Sequence, residues 1–283
     1  MTITCITGKG DLPMLQVSNA HADALISVYA GQVLSYIPKG NSDLLFVSDH
    51  AYFATGKAIK GGVPICWPWF GNHPTSGPAH GFVRSTLWQV RETTDLADGA
   101  SRIVLGITDS PATRAFWDYA FELAVEITVG ATLQVALVTR NTDSRAMQIT
   151  QGLHTYFAVA DIARTQVAGL DGIRYLDKAR GAQDGAHRQY ANVTFSQEVN
   201  RIYLDVPATL TLLDGQRSVR ITSVGNKTAV IWNPWAEVAA EMADLCDDAY
   251  QRFVCVETTN AADDVITIPA GGEYRLSAEY ALL

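Results

Sequence analysis

The segment 60–84 combines glycine, proline and aromatic residues at a higher density than the rest of the sequence. Glycine and proline at this density fix a specific loop path and disfavour regular helix and strand. It contains three flat apolar side chains of the kind that line small-molecule pockets: Trp67, Trp69 and Phe70. Taken alone, such aromatic residues more often cap a hydrophobic core. Two cations and a histidine, Lys60, Arg84 and His80, lie in the same segment and favour the pocket.

The common sequence motifs for cofactor and metal binding are incomplete or absent in this sequence. The glycines around Lys9 lack the third glycine of a dinucleotide-binding loop, and Gly56 and Lys57 lack the partners of a phosphate-binding loop. Neither H-E-x-x-H nor G-x-S-x-G occurs, and the six histidines show no i, i+4 pair for a metal. We therefore expect no cofactor and no metal ion.

The dominant periodicity of the chain is two residues, which is typical of β-strands. Residues 121–129 alternate apolar with mostly polar side chains, and a second alternation starts at Leu133 after Gly130, which predicts an antiparallel hairpin. A second hairpin is predicted from 208–213 and 219–221, because Asp-Gly between them suits a tight turn. Further strands are predicted at 25–29, 102–108, 229–232, 252–256, 265–268 and 274–280.

Helical signals are few and short. One helix is predicted at 111–117 after a Ser110 cap, and another at 236–243 after the Asn-Pro-Trp sequence that ends at Trp235. No linker, low-complexity tract or internal repeat divides the chain. We therefore expect an all-β protein in which residues 1–283 form one large antiparallel β-sandwich domain with a few short helices.

Composition and charge narrow the class of partner. The 21 Lys and Arg residues against 29 Asp and Glu residues give a formal charge of −8, which argues against nucleic-acid binding. The sequence has no apolar stretch of the roughly 18 residues that would span a bilayer, and its four cysteines form no C-x-x-C pair. We therefore expect a cytoplasmic protein, with a monomer favoured, that has no nucleic-acid or membrane partner.

Four segments, in the same order, resemble the D-hexose-6-phosphate mutarotases, or glucose-6-phosphate 1-epimerases, of the aldose 1-epimerase superfamily. They are 60–84, Leu-His-Thr-Tyr-Phe at 153–157, Trp-Asn-Pro-Trp at 232–235, and Val-Cys-Val-Glu at 254–257. The resemblance covers nearly the whole chain. It implies the β-supersandwich of the galactose mutarotase type and an isomerase that acts on a small-molecule sugar phosphate without a cofactor.

The resemblance also assigns roles to two residues. Interconverting anomers requires a base for the C1 hydroxyl proton and an acid for the ring oxygen. Glu257 matches the family's base and His154 its acid, with ordinary pKa values of roughly 4.3 and 6.5. His80 matches a second histidine that is expected to hydrogen-bond the sugar, while Gly81 would let the backbone approach the sugar or would form a plain turn.

Two departures from the family concern residues that are expected to contact the substrate. Arg84 matches the phosphate-binding arginine, and its planar fork can bind two phosphate oxygens. The second cation of the family is an arginine, but this chain has Lys60, which keeps the charge and loses the bidentate geometry. Asn200 stands where the family usually has an aspartate that contacts the substrate region.

Three alternatives to the sugar-phosphate mutarotase stay open at this stage. An aldose 1-epimerase for unphosphorylated sugars would use the same acid and base. A non-catalytic carbohydrate-binding protein could use the same sandwich, since one fold hosts many functions. A glycoside hydrolase would need a second carboxylate beside the bond, and no motif supplies one.

Overall fold

The protein consists mainly of antiparallel β-strands, as a computed structural model of residues 3–73 and 77–283 shows. Residues 74–76 of the segment 60–84 lie outside the described residues. The strands of the first half are β1 Ile3–Thr7, β2 Pro13–Ser18, β3 Ala22–Ser27, β4 Gln32–Pro38, β5 Ile65–Cys66, β6 Gln89–Asp95, β7 Ser101–Thr108, β8 Phe121–Val129 and β9 Leu133–Asn141. The strands that follow are β10 Met147–Ile149, β11 Gln151–Leu153, β12 Tyr156–Ala158, β13 Gln166–Ala168, β14 Arg174–Asp177, β15 Ala186–Arg188, β16 Val193–Thr194, β17 Val199–Leu204, β18 Thr209–Leu213, β19 Ser218–Val224, β20 Thr228–Asn233, β21 Phe253–Asn260, β22 Ile266–Ile268 and β23 Glu273–Leu282.

These strands form two large sheets and two small ones. The nine-stranded sheet has the order β16-β13-β18-β19-β23-β9-β8-β7-β6. The eight-stranded sheet has the order β15-β14-β17-β20-β21-β11-β5, with β12 also paired to β21. A four-stranded sheet runs β1-β2-β3-β4, and β10 pairs with β22. The architecture confirms the predicted all-β fold class.

Both predicted hairpins form where the period-two pattern placed them. In β8 the apolar positions are buried at every second residue, and Val129 pairs with Leu133 of β9 across the turn. In the second hairpin Leu213 pairs with Ser218 around the Asp-Gly turn. Since alternate side chains of a strand point to opposite faces, the alternation buries one face of each hairpin in the main hydrophobic cluster.

The two predicted helices also form, and both are shorter than predicted. α1 spans Pro111–Arg114, and its Ser110 cap accepts a hydrogen bond from the Thr113 N–H as part of a capping box. α2 spans Trp235–Ala240. Single turns of 3₁₀ helix occur at Lys9–Asp11, Val83–Ser85, Ile162–Arg164 and Ala249–Arg252. None of the described helices has the length and apolar character needed to cross a bilayer.

The strand β21 differs most from its prediction. The sequence predicts a strand over 252–256, whereas β21 runs from Phe253 to Asn260 and is buried at all eight positions. Thr258, Thr259 and Asn260 look like turn residues, but they pair with β11 on one side. Because neighbouring strands flank β21 on both sides, its polar side chains, including Glu257, lie inside the protein.

The aromatic side chains of the segment 60–84 lie partly in the hydrophobic core and partly at a cavity. The indole ring of Trp67 is fully buried, Trp69 is nearly so, and both belong to the main hydrophobic cluster, as the capping interpretation expected. Of the three aromatic side chains only Phe70 lines the cavity described below. Gly81 packs against the chain itself, because an added Cβ would lie 1.7 Å from the Trp67 carbonyl oxygen. The structure thus gives Gly81 a packing role.

Candidate active site

A cavity of about 720 Å³ lies at the eight-stranded sheet, a size suited to a small ligand. All six residues that the sequence singled out line it: Lys60, His80, Arg84, His154, Asn200 and Glu257. They come from four separate parts of the chain, so the fold brings them together.

Neighbouring strands hold His154 and Glu257 side by side. Glu257 lies on β21, which pairs with β20 on one side and with β11 and β12 on the other. His154 occupies the break between β11 and β12, where its backbone N–H donates to the Pro64 carbonyl oxygen at 3.0 Å. Because both short strands pair with β21 around this break, the histidine is fixed next to the glutamate.

The imidazole and the carboxylate form a close, buried pair. His154 Nε2 lies 3.6 Å from Glu257 Oε1, and the side chains are only 10% and 1% exposed. The imidazole also stacks on Tyr156, with ring centroids 4.9 Å apart. Among the described residues, His154 Nδ1 and Glu257 Oε2 have no hydrogen-bond partner. Since buried polar atoms are normally paired, the pair has hydrogen-bonding capacity that no described residue satisfies.

Burial moves the pKa values of this pair in opposite directions. Loss of hydration raises the pKa of Glu257 well above its usual range, and the positive charge of Arg84 opposes that rise. Loss of hydration lowers the pKa of His154 well below its usual range, and His80 and Arg84 lower it further. The ordinary pKa values expected from the sequence are therefore wrong for both groups, because neither is solvated.

His80 acts in this environment as a neutral hydrogen-bonding group. Its partly buried ring lies edge-on to Phe70 and to His154, with centroids 4.8 and 5.5 Å apart. Its Nδ1 accepts a hydrogen bond from the Gly71 N–H at 3.3 Å. Burial, assisted by the charge of Arg84, lowers the pKa of His80 to about 3.

The two cations predicted to bind phosphate differ in their surroundings. Arg84 is half-buried, and its Nη2 donates to the Ala79 carbonyl oxygen at 2.7 Å. The ammonium group of Lys60 lies 2.7 Å from Asp244 Oδ1 and 3.4 Å from the sulfur of Met242. Among the described residues, the remaining N–H groups of the Arg84 guanidinium have no partner and can bind an anion, whereas the Lys60 ammonium group already has a carboxylate partner.

A further cation and Asn200 lie at another part of the cavity wall. Lys178 follows β14, and its backbone N–H donates to the Asn200 carbonyl oxygen at 2.7 Å. The Asn200 side chain donates to the Lys178 carbonyl oxygen at 3.4 Å. The Lys178 ammonium group is exposed and makes no ion pair with any described residue. Asn200 therefore lines the cavity while its amide is tied to the backbone beside Lys178.

One group of side chains has the donor types for a metal ion. Donor atoms of His154, Cys255 and Glu257 all lie within 4.8 Å of one another. Burial raises the pKa of the Cys255 thiol well above its usual range, so the thiolate that a metal prefers is disfavoured. Two of the three side chains are also the proton-transfer pair described above.

Comparison with known proteins gives this geometry a context. The family described as "Aldose 1-epimerase" matches residues 13–281. The chain belongs to the aldose 1-epimerase family. This membership confirms the resemblance found in the sequence, and with it the isomerase class.

Relatives of this aldose 1-epimerase family member support the assignment. A protein of Escherichia coli K12 with the name "Putative glucose-6-phosphate 1-epimerase" is 35% identical over 257 residues, which cover 89% of this chain and 85% of that protein. A solved structure from Salmonella typhimurium, described as a "putative mutarotase", superimposes with a TM-score of 0.91 at 31% identity, covering 99% of this chain and 93% of the other. A galactose mutarotase related enzyme of Lactobacillus acidophilus shares the fold at 13% identity, with a TM-score of 0.75 over 95% and 97% of the two chains.

Sequence reasoning missed two charged side chains of this aldose 1-epimerase site. Lys178 reads as an ordinary surface lysine just past a strand, and nothing in the sequence signals its place beside Asn200. Asp244 follows the predicted helix 236–243 and looks like one of several solvated acidic residues. Only the packing of the residues after α2 shows that it contacts Lys60.

Proposed function

We propose that the protein interconverts the α and β anomers of hexose 6-phosphates, with D-glucose 6-phosphate as the first substrate to test. The single observation that carries this proposal is the 3.6 Å pair of His154 and Glu257 in a cavity that Lys60 and Arg84 also line. The name of the Escherichia coli relative supports the same substrate class. All four cysteines are free thiols, which supports a reducing, cytoplasmic setting.

The proposed reaction is a reversible ring opening. Glu257 takes the proton of the C1 hydroxyl while His154 gives a proton to the ring oxygen, so that the bond between C1 and the ring oxygen breaks and a C1 aldehyde forms. The aldehyde rotates about the C1–C2 bond and the ring closes on its other face. During ring closure His154 takes its proton back from the ring-forming hydroxyl, and Glu257 returns its proton to the oxygen on C1. Both side chains then have the protonation states with which they began.

The pKa directions add a condition to this division of labour. Ring opening converts a carboxylate and an imidazolium into a carboxylic acid and a neutral imidazole. Burial favours these neutral forms, because it raises the pKa of Glu257 and lowers that of His154. The proposed roles therefore require that one proton moves from Glu257 to His154 when the sugar binds. After that transfer, the cavity favours the protonation state that accompanies the open-chain aldehyde, which is the high-energy species of the reaction.

Recognition of the phosphate is assigned in this proposal to the cations of the cavity. A phosphomonoester carries about −1.5 to −2 charge at pH 7, so it needs local positive charge even in a protein whose formal charge is −8. Arg84 is the principal candidate, because among the described residues its guanidinium has one hydrogen bond, to a carbonyl oxygen, and no ion pair. Asn200 can contribute hydrogen bonds but no charge.

The test is the rate of anomer exchange of glucose 6-phosphate measured by NMR exchange spectroscopy, with the spontaneous rate subtracted. We expect His154→Ala and Glu257→Gln each to lower the catalysed rate by about 10²–10⁴-fold, because each removes one proton-transfer group. His21→Ala and Glu273→Gln, at partly or fully exposed positions outside the cavity, are the matched controls and should keep the wild-type rate. A wild-type rate in either cavity variant, with the fold intact, contradicts the proposal.

A second candidate substrate is an unphosphorylated aldose. The observation that favours it is the ion pair of Lys60 with Asp244, which neutralises one of the two predicted phosphate-binding cations. An enzyme of this kind would act equally on glucose and glucose 6-phosphate, and Arg84→Ala would change neither rate. A non-catalytic sugar-binding protein would shift the sugar's resonances without accelerating exchange.

A further inference from the structure

Asp244 is held against Lys60, one of the cavity cations to which the proposed function assigns phosphate recognition. Its Oδ1 lies 2.7 Å from the Lys60 ammonium group, with side-chain exposures of 24% for Asp244 and 15% for Lys60. The residue that follows it, Leu245, is buried and donates its N–H to the Met242 carbonyl oxygen at 3.1 Å. The position of the carboxylate is therefore fixed by the packing of the residues between α2 and the turn Ala249–Arg252.

The other cations of the cavity have no such partner. Within residues 3–73 and 77–283, neither Arg84 nor Lys178 makes an ion pair with a carboxylate. Asp244 and Glu257 are the two acidic residues that line the cavity, and Glu257 faces His154. Lys60 is thus singled out as the cavity cation whose charge the protein itself neutralises.

A carboxylate and a phosphate compete for the same ammonium group. Both groups offer anionic oxygens that can accept a charge-assisted hydrogen bond. The Lys60 ammonium group is a compact charge and lacks the planar, bidentate geometry of an arginine guanidinium. A phosphate that approaches Lys60 must either displace the Asp244 carboxylate or sit beside it at the cost of repulsion between like charges.

We propose that Asp244 is a specificity-determining residue that competes with the substrate's phosphate for Lys60 and thereby weakens the preference for phosphorylated over unphosphorylated sugars. The inference rests on the proposed function for its substrate class. Because Asp244 competes for the substrate's phosphate and not for the transferred protons, its removal should change KM and leave kcat unaffected. The chemistry recognised at Lys60 is that of a phosphomonoester or of free inorganic phosphate.

The test is Asp244→Asn, which removes the charge and keeps the shape of the side chain. We expect KM for glucose 6-phosphate and the inhibition constant of inorganic phosphate to fall by about three- to tenfold. The reason is that the repulsion between the Asp244 carboxylate and the phosphate disappears. We expect kcat, and KM for glucose, to stay within about twofold. Asp247→Asn removes the same charge from an exposed site of the same loop without an ion pair, and it should change neither constant.

Three results would overturn the inference. A higher KM for glucose 6-phosphate in Asp244→Asn would mean that Asp244 holds Lys60 in position for the phosphate. An unchanged KM would mean that Lys60 takes no part in recognition, and an equal fall in Asp247→Asn would mean that only the overall charge matters. If Asp244→Asn does not fold, Asp244→Ser carries the same expectations.

A binding measurement separates this inference from the proposed function. Calorimetric titration of inorganic phosphate into the wild type, Asp244→Asn and Lys60→Gln needs no turnover. Phosphate should bind more tightly to Asp244→Asn, and the Asp244→Asn change should have no effect in a Lys60→Gln background. An effect that persists without Lys60 overturns the inference, whereas a protein that binds phosphate in this pattern but does not accelerate anomer exchange overturns only the proposed function.

Discussion

His154 and Glu257 show how burial changes the chemistry of ordinary residues. The sequence gives their identities, but their pKa values depend on the loss of hydration at a fully buried strand and on Arg84 nearby. With the two groups 3.6 Å apart, the proton positions belong to the pair. In the sugar-free protein, burial favours the carboxylic acid form of Glu257 and the neutral imidazole of His154.

This proton placement predicts the titration of His154. Because its pKa is lowered well below 6.5, the imidazole should stay neutral as the pH of the sugar-free protein falls through 6.5. Two-dimensional nitrogen–proton NMR of the imidazole groups measures this directly, with the signal assigned by its loss in His154→Gln. A protonation midpoint at or above pH 6.5 would mean that attraction to an ionised Glu257 outweighs burial.

The raised pKa of Glu257 predicts an effect on stability with a definite sign. A carboxyl group whose pKa is higher in the folded state stabilises the fold at low pH and loses that contribution as the pH rises through the folded-state pKa. Glu257→Gln has no such group, so its melting temperature should rise relative to the wild type as the pH increases from 5 to 8. The exposed control Glu273→Gln should show no growing difference, and a constant difference for Glu257→Gln would contradict the prediction.

At the scale of elements, sequence patterns predict strands well wherever one face is buried and the other is solvated. β8 and β9 show this alternation, and their hairpin forms as predicted. The predicted strand 252–256 is shorter than β21, because β21 is buried at every position and carries threonine, asparagine and glutamate inside the protein. No local pattern distinguishes such polar core residues from a turn, since their hydrogen-bond partners lie on distant strands.

The loop that carries His80 offers a test of backbone packing. Gly81 has a φ of +77°, and a Cβ there would lie 1.7 Å from the Trp67 carbonyl oxygen. Gly40 has the same φ of +77° and nothing within 4 Å of its added Cβ, so it is a matched control. Gly40→Ala should cost about 1–2 kcal/mol from backbone strain alone.

Gly81→Ala should cost clearly more than Gly40→Ala, because the backbone must also shift away from Trp67. Urea unfolding of the two variants measures the difference. The shift should also disturb His80 and lower the rate of anomer exchange, whereas Gly40→Ala should leave that rate unchanged. Equal losses of stability would show that the contact with Trp67 relaxes at no cost.

At the scale of the whole molecule, the sequence indicates the family and the six cavity residues, because these sit in short motifs. It does not show that segments more than one hundred residues apart meet, which is a property of the sheet order. Nor does it show the ion pair of Lys60 with Asp244, which depends on how the residues after α2 pack. An ion pair between residues that are far apart along the chain produces no periodic pattern in the sequence.

Binding at this cavity should stabilise the whole fold, since a ligand that binds only the folded protein shifts the unfolding equilibrium. At a concentration of about 100 times its dissociation constant, glucose 6-phosphate should add about 2.7 kcal/mol and raise the melting temperature by about 5 °C. Glucose at the same concentration should raise it less, because it lacks the phosphate whose recognition we propose for Arg84. Arg84→Ala should remove the difference between the two sugars, whereas Arg140→Ala, an exposed arginine of β9, should keep it. Equal shifts from both sugars in the wild type would contradict a phosphate contact at Arg84 and would favour an unphosphorylated substrate.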